Sequence, residues 1–212
     1  MTRGRFITFE GGEGAGKSTQ SQRLVQALGD AGFVAVRTRE PGGAPGAEAV
    51  RDLLVQGAID RWDPLSEALL HYAARHEHLV RTVRPALDSG KWVVCDRFAD
   101  STMAYQGYGH GLGRQPVEAL YALVVGKTAP DLTLILDLPV DEGLKRASRS
   151  AGIEDRYERM GRDFHERLRQ GFLDIAGREP ERCAIIDARP PPDAVWQAVR
   201  KAVGERLTIA WP

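Results

Sequence analysis

Gly11-Gly12-Glu13-Gly14-Ala15-Gly16-Lys17-Ser18 fits the pattern G-x-x-x-x-G-K-[ST]. An apolar strand-like run, Arg5–Glu10 (RFITFE), leads into it. A helix-like stretch, Lys17–Ala31, follows, with Leu24, Val25 and Leu28 as its apolar stripe and Gly32 as its terminator. Strand, glycine loop and helix in that order make a phosphate cradle. The glycines let successive backbone N–H groups turn inward toward phosphate oxygens. The helix adds the positive end of its dipole. Lys17 brings a mobile charge for the β- and γ-phosphates, and the Ser18 hydroxyl suits a Mg²⁺ ligand. Gly11 through Thr19 is therefore the expected ATP-binding segment.

The rest of the chain repeats the alternation. Strands are predicted at Val34–Arg39, Trp92–Asp96 (WVVCD), Leu132–Asp137 (LTLILD) and Ala184–Asp187 (AIID). Helices are predicted at Ala47–Val55, Leu65–Leu87, Val117–Val125 and Asp193–Arg206. Strands separated by helices pair in parallel with right-handed crossovers. The expectation is one α/β domain over residues 1–212: a P-loop NTPase with a five-stranded parallel sheet flanked by helices. Gly107–Gly113 and roughly Lys145–Arg169 interrupt the pattern.

Composition narrows the function. Lys plus Arg and Asp plus Glu both number 29 in 212 residues. A zero net charge argues against a protein that coats nucleic acid, since phosphate neutralisation supplies much of such affinity. No apolar run approaches the ~20 residues of a membrane span, and the N-terminus does not read as a signal peptide. Cys95 and Cys183 lie in apolar segments without C-x-x-C spacing, the pattern of buried free thiols in a reducing cytoplasm. The chain contains no Asn, so the GTPase base-reading motif N-K-x-D is impossible. It is also too short for a helicase with two motor domains. A small phosphotransferase fits these limits. A catalytically silent ATP-binding regulator is the rival class, and it would not need the clamp described next.

Asp96-Arg97-Phe98 closes the third strand. A carboxylate there can hold the water shell of Mg²⁺, and Arg97 would face the gap between phosphoryl donor and acceptor. On the long predicted helix, Leu65, Leu69, Tyr72, Leu79, Val80, Val83 and Leu87 share one broad face at 3.6 residues per turn. Glu67, His71, Arg75 and His78 form a narrow stripe opposite. A metal site from His71, His76 and His78 is not expected, because the three cannot converge from one helix.

Taken together, Glu10 to Thr19, Thr38-Arg39-Glu40-Pro41-Gly42-Gly43, Tyr72-Ala73-Ala74-Arg75, Asp96-Arg97-Phe98, Ser101-Thr102, Ala104-Tyr105-Gln106-Gly107 and Pro130 to Leu134 resemble bacterial thymidylate kinases in order and spacing. The resemblance covers nearly the whole chain. It implies phosphoryl transfer from ATP to dTMP with Mg²⁺, by a cytoplasmic homodimer with no nucleic-acid or membrane partner. It implies that Lys17, Arg97 and a lid arginine are catalytic, with Ser18 and Asp96 serving the metal. Arg97 would hold the dTMP phosphate, and Arg75 would reach the thymine edge. Ser101, Thr102 and Gln106 would line the acceptor site. Tyr105 would pack against the sugar, and Glu13 would touch its 3′-hydroxyl or the metal's water. The acidic P-loop is the bacterial arrangement, paired with a basic lid at roughly 145–160. In that lid Arg149 is the first candidate to reach the transferring phosphoryl group and Arg156 the second. The sequence departs from the family at His71, where many relatives carry a Phe that stacks on thymine.

Overall fold

In the computed structural model, residues 3–148 and 156–211 are described. The strands β1 (Phe6–Glu10), β2 (Ala35–Arg39), β3 (Trp92–Asp96), β4 (Leu132–Asp137) and β5 (Cys183–Asp187) form one parallel sheet in the order β2-β3-β1-β4-β5. Side chains alternate between its faces, as a pleat requires. Ile7, Phe9, Val94, Leu132, Leu134 and Leu136 pack beneath α1 (Lys17–Asp30) and a C-terminal helix. Phe6, Val93, Cys95 and Ile135 face the opposite helical layer. Both cysteines are free and buried.

After β2 come α2 (Pro45–Val55) and α3 (Pro64–His78), which pack side by side. Asp63 caps α3 by accepting from the N–H groups of Leu65 and Ser66, with Pro64 at the first helical position. The predicted helix Leu65–Leu87 is interrupted by a π-turn at Leu79–Val83, where Arg84 N–H reaches back to the Leu79 carbonyl. α4 (Arg84–Asp88) then continues. Pro85 accounts for the interruption: it lacks an N–H and its ring crowds the preceding turn, and the wider π-turn relieves both.

The expected apolar face of that helix is buried at Tyr72, Leu79, Val83 and Leu87 but not at its other three positions. Leu65, Leu69 and Val80 are 44%, 48% and 39% exposed, whereas Glu67, Arg75 and His78 are buried. Polar partners on neighbouring elements, described below, draw the charged stripe inward.

Among the described residues, both interruptions are helical in part. β3 leads into α5 (Ala99–Thr102) and a π-helical run, Met103–Gly109, so the glycine-rich stretch begins inside a helix. α6 (Arg114–Val124) begins three residues earlier than predicted. α7 (Val140–Ala147) and α8 (Arg162–Arg178) flank the predicted lid, and α9 (Pro192–Leu207) closes the fold. α8 buries Phe164, Leu168, Phe172 and Ile175 at helical spacing, a stripe masked in the sequence by the many arginines between. Arg149, the first lid candidate, lies outside the described residues.

Candidate active site

The glycine loop joins β1 to α1. Gly14 has φ +67°, and a Cβ there would stand 2.2 Å from the Gly143 carbonyl oxygen on α7, so only glycine fits. Lys17 folds back over the loop and donates to the carbonyls of Gly11 (3.1 Å) and Gly12 (2.7 Å). Burial, followed by the nearby Arg97, brings its pKa down to about 8. Ser18 Oγ donates to Asp96 Oδ2 at 2.5 Å, because the sheet register places the end of β3 beside the end of β1. The two residues proposed for the metal are therefore already in contact. Their oxygen-only donor set suits Mg²⁺, which keeps several waters and takes few protein ligands.

Arg97 adopts φ +67°, a left-handed conformation that a side chain tolerates only under constraint. The constraints are visible. Its N–H bonds the Phe9 carbonyl at 2.9 Å, Nη1 bonds the Gly11 carbonyl at 2.9 Å, and Nη2 reaches both Glu13 oxygens at 3.0 Å. The guanidinium lies over the Tyr105 ring, whose hydroxyl donates to Glu13. Burial alone would raise the Glu13 pKa. Arg97, Lys17 and the Tyr105 hydroxyl outweigh it and hold the carboxyl at about 2.

Behind this turn stands Glu10, the last residue of β1. It accepts from Phe98 N–H (2.7 Å), Ser101 N–H (3.3 Å) and Ser101 Oγ (2.6 Å), and so pins the start of α5. Burial and the neighbouring Asp100 push its pKa up to about 8.

The other end of the site is built on α3. Arg75 is 2% exposed. Its Nε bonds Glu40 (2.7 Å), its Nη2 bonds the Phe98 carbonyl and Thr102 Oγ1 (both 3.0 Å), and its Nη1 has no partner. His78 pairs with the same Glu40 at 2.9 Å from behind. Glu67 accepts from Gln106 Nε2 (2.6 Å) and from the Tyr157 hydroxyl (3.0 Å). That hydroxyl has one proton and gives it to Glu67, so the 2.9 Å bond to His71 requires His71 Nε2 to be the donor. Burial brings the His71 pKa down to about 4, so near neutral pH the ring is uncharged with its one proton on Nε2.

Both ends open on one cavity of about 500 Å³, at the C-terminal edge of the sheet. Glu13, Gly14, Gly16, Lys17, Ser18, Thr19, His71, Arg75, Asp96, Arg97, Ser101, Thr102, Tyr105 and Gln106 all line it. Of the remaining residues named from sequence, Gly11 and Gly12 lie behind the wall and Ala15 is buried in the core. Arg156 corrects the second lid assignment. It is fully buried, donates to the carbonyls of Leu54, Ala58 and Ile59, and pairs with Glu67 at 2.5 Å, so it braces the wall and does not reach into the cavity.

A glycine-loop cradle and a polar α3 wall facing one cavity, joined through one arginine, is the geometry of a nucleotide phosphotransferase. The family model described as thymidylate kinase matches residues 9–199. The chain belongs to the thymidylate kinase family. It is 56% identical to the thymidylate kinase of Caulobacter vibrioides over 209 residues, covering 99% of this chain and 100% of that one. It is 48% identical to that of Rhizorhabdus wittichii, covering 96% and 99%. The crystal structure of thymidylate kinase from Ehrlichia chaffeensis superposes with a TM-score of 0.76 at 37% identity, over 95% of this chain and 99% of that one. The activity is that of the family, phosphorylation of dTMP to dTDP.

Sequence reasoning missed Glu10, Glu40, Glu67 and Tyr157 as parts of this site. A signal existed for the first two: an acid closing an otherwise apolar strand, and an acid ahead of Pro41. Glu67 had a weaker one, its place in the polar stripe with His71 and Arg75, since an acid in the first turn of a helix is otherwise ordinary.

Proposed function

We propose that ATP occupies the glycine-loop end of the cavity and dTMP the α3 end, with Arg97 between their phosphates. The observation that carries this reading is the Arg97 guanidinium, bonded to both Glu13 oxygens and to the Gly11 carbonyl at the point where the two halves meet. An acceptor phosphate would compete with Glu13 for that guanidinium in a bidentate pair. Lys17 would exchange two loop carbonyls for β- and γ-phosphate oxygens. An oxygen of the acceptor phosphate forms the new bond to the γ-phosphorus as the bond to the ADP oxygen breaks. The attacking group is already an anion, so no general base is needed; catalysis is positioning and charge stabilisation. Mg²⁺ would be held by Ser18 and, through water, by Asp96, and would supply charge neutralisation on the transferring phosphates. Arg75 and Gln106 would meet the base, His71 would stack on it, and Tyr105 would pack against the sugar.

The same reading includes a homodimer in a reducing cytoplasm. Leu53 on α2, Leu65 and Leu69 on α3 and Leu123 on α6 are exposed apolar side chains on packed neighbouring helices, and a second copy would cover them. No helix among the described residues is long and apolar enough to cross a membrane.

An ADP-release assay across dTMP, dUMP, CMP, AMP and thymidine tests the reading. Turnover highest with dTMP is expected. Faster turnover with thymidine or a purine monophosphate would overturn the placement of the acceptor.

A further inference from the structure

We propose that Glu67 is a positioning residue that sets which pyrimidine edge the cavity accepts, by locking the side-chain amide of Gln106 in one orientation. The proposal rests on the acceptor reading above. Glu67 sits among donors: Gln106 Nε2 at 2.6 Å, the Tyr157 hydroxyl at 3.0 Å and Arg156 Nη2 at 2.5 Å. Burial alone would raise its pKa; the His110, His71 and Arg156 side chains more than offset this and bring it down to about 2. An ionised carboxylate can only accept, so the Gln106 atom facing it is the NH₂ group. A flip would set oxygen against oxygen in a buried site.

The consequence falls on the other end of the amide. Gln106 Oε1 is buried without a partner, and so is Arg75 Nη1. Both belong to side chains that line the cavity. One is an acceptor and the other a donor, and each lacks its complement. A buried polar group in that state costs free energy until something satisfies it. The complement of a donor and an acceptor on one cavity wall is an acceptor and a donor on one ligand edge. Thymine and uracil present this as O4 beside N3–H, met directly or through one bridging water. Cytosine presents the opposite, an N4 amino group beside a bare N3. A flipped Gln106 would turn its NH₂ toward the bare N3, so without the Glu67 lock the amide could serve cytosine as well. With the lock, a cytosine nucleotide leaves both groups unpaired, the situation in which polar sites discriminate most strongly.

Glu67→Gln removes the acceptor-only charge, because a Gln side chain can accept from or donate to Gln106. Calorimetric titration of wild-type and Glu67→Gln protein with dTMP, dUMP and dCMP is the test. The ratio of dCMP to dTMP dissociation constants should fall by at least about tenfold. The ratio of dUMP to dTMP should stay unchanged, since the two share an edge and differ only in a methyl group. A general loosening of the site would move both ratios, and that result overturns the proposal, as does an unchanged dCMP ratio.

Gln106→Leu provides the arm that does not depend on the folding of the Glu67 variant. It should narrow the dCMP ratio by itself, and Glu67→Gln in that background should add nothing. An unchanged ratio in Gln106→Leu, or a further loss in the double variant, overturns the proposal. A wild-type protein that binds no thymidylate overturns the acceptor reading and this proposal together. A wild-type protein that discriminates, with variants that discriminate equally, overturns this proposal alone.

Discussion

Burying the Arg75 guanidinium is tolerable because Glu40 neutralises it, Phe98 and Thr102 accept its N–H groups, and the Tyr72 and Phe98 rings lie against it. The phosphate end follows a different rule. Lys17 and Arg97 are satisfied by loop carbonyls and Glu13, partners that phosphate can replace. Lys17→Ala should lower turnover a hundredfold or more, about 3 kcal/mol of transition-state stabilisation, with the melting temperature preserved. Steady-state kinetics on the purified variant checks this, and near wild-type turnover would contradict the P-loop mechanism. His71 offers a second test at this scale. Its neutral ring is flat and lines the base end of the cavity. His71→Ala should weaken dTMP by about 1–3 kcal/mol, the scale of stacking on a base, while His71→Phe should bind as well or better. An unchanged dissociation constant for His71→Ala would exclude stacking. The glycine loop and Arg97 were readable from sequence because their chemistry is local: a fixed spacing after a strand. Glu67 was not, since its role exists only once Gln106 and Tyr157, distant in the chain, arrive beside it.

At the scale of elements, helical periodicity places Tyr72, Leu79, Val83 and Leu87 in the core correctly and fails at the first turns of α3 and at Val80. Apolar side chains at positions 65 and 69 suggest a core face, yet the core contact runs through Ala68, Tyr72 and Leu79. Hydropathy cannot distinguish a face that meets the protein's own core from one that meets another molecule. Here the exposed leucines flank a buried charged stripe, so the helix is wet outside on carbon and dry inside on nitrogen and oxygen. Replacing both Leu65 and Leu69 with Asp should convert the proposed dimer to monomer without lowering the melting temperature by more than a few degrees. Light scattering on the eluted protein measures this. A monomeric wild-type protein would remove the dimer from the account. α8 was missed for the complementary reason: the arginine density from Lys145 to Arg169 hid the Phe164–Leu168–Phe172–Ile175 stripe that seats it.

The whole molecule carries opposed titrations. Glu13 and Glu67, both held at about 2, stabilise the fold above the usual carboxylate range, and that stability is lost as pH falls toward 2. His71, lowered to about 4, adds to the same trend. Its contribution is present above about 6.5 and lost as pH falls through 4. Glu10 runs the other way. With its pKa raised to about 8, its contribution is complete below the ordinary carboxylate range and is lost as pH climbs through 8. Urea midpoints should therefore fall on both sides of a weakly acidic maximum, and Glu10→Gln should flatten the alkaline side only. An alkaline slope unchanged in Glu10→Gln would remove Glu10 as its cause.

The π-turn at Leu79–Val83 has one more consequence, for insertions and deletions. A π-turn amounts to one residue added to an α-helix and taken up by the widened turn, so the α-helical halves on either side keep the register of an uninterrupted helix. Deleting Val80 would return the turn to α geometry and leave the half bearing Glu67, His71 and Arg75 unrotated against α4, which seats Leu87 in the core. The cost would fall on Pro85, crowded again against the preceding turn. Deleting Glu77 from the regular part would instead rotate the two halves by about 100°, since one residue is that fraction of a turn. In this helix, a codon lost at the wide turn should lower the melting temperature and leave dTMP binding in place, whereas one lost at Glu77 should abolish binding while the pocket residues are still encoded.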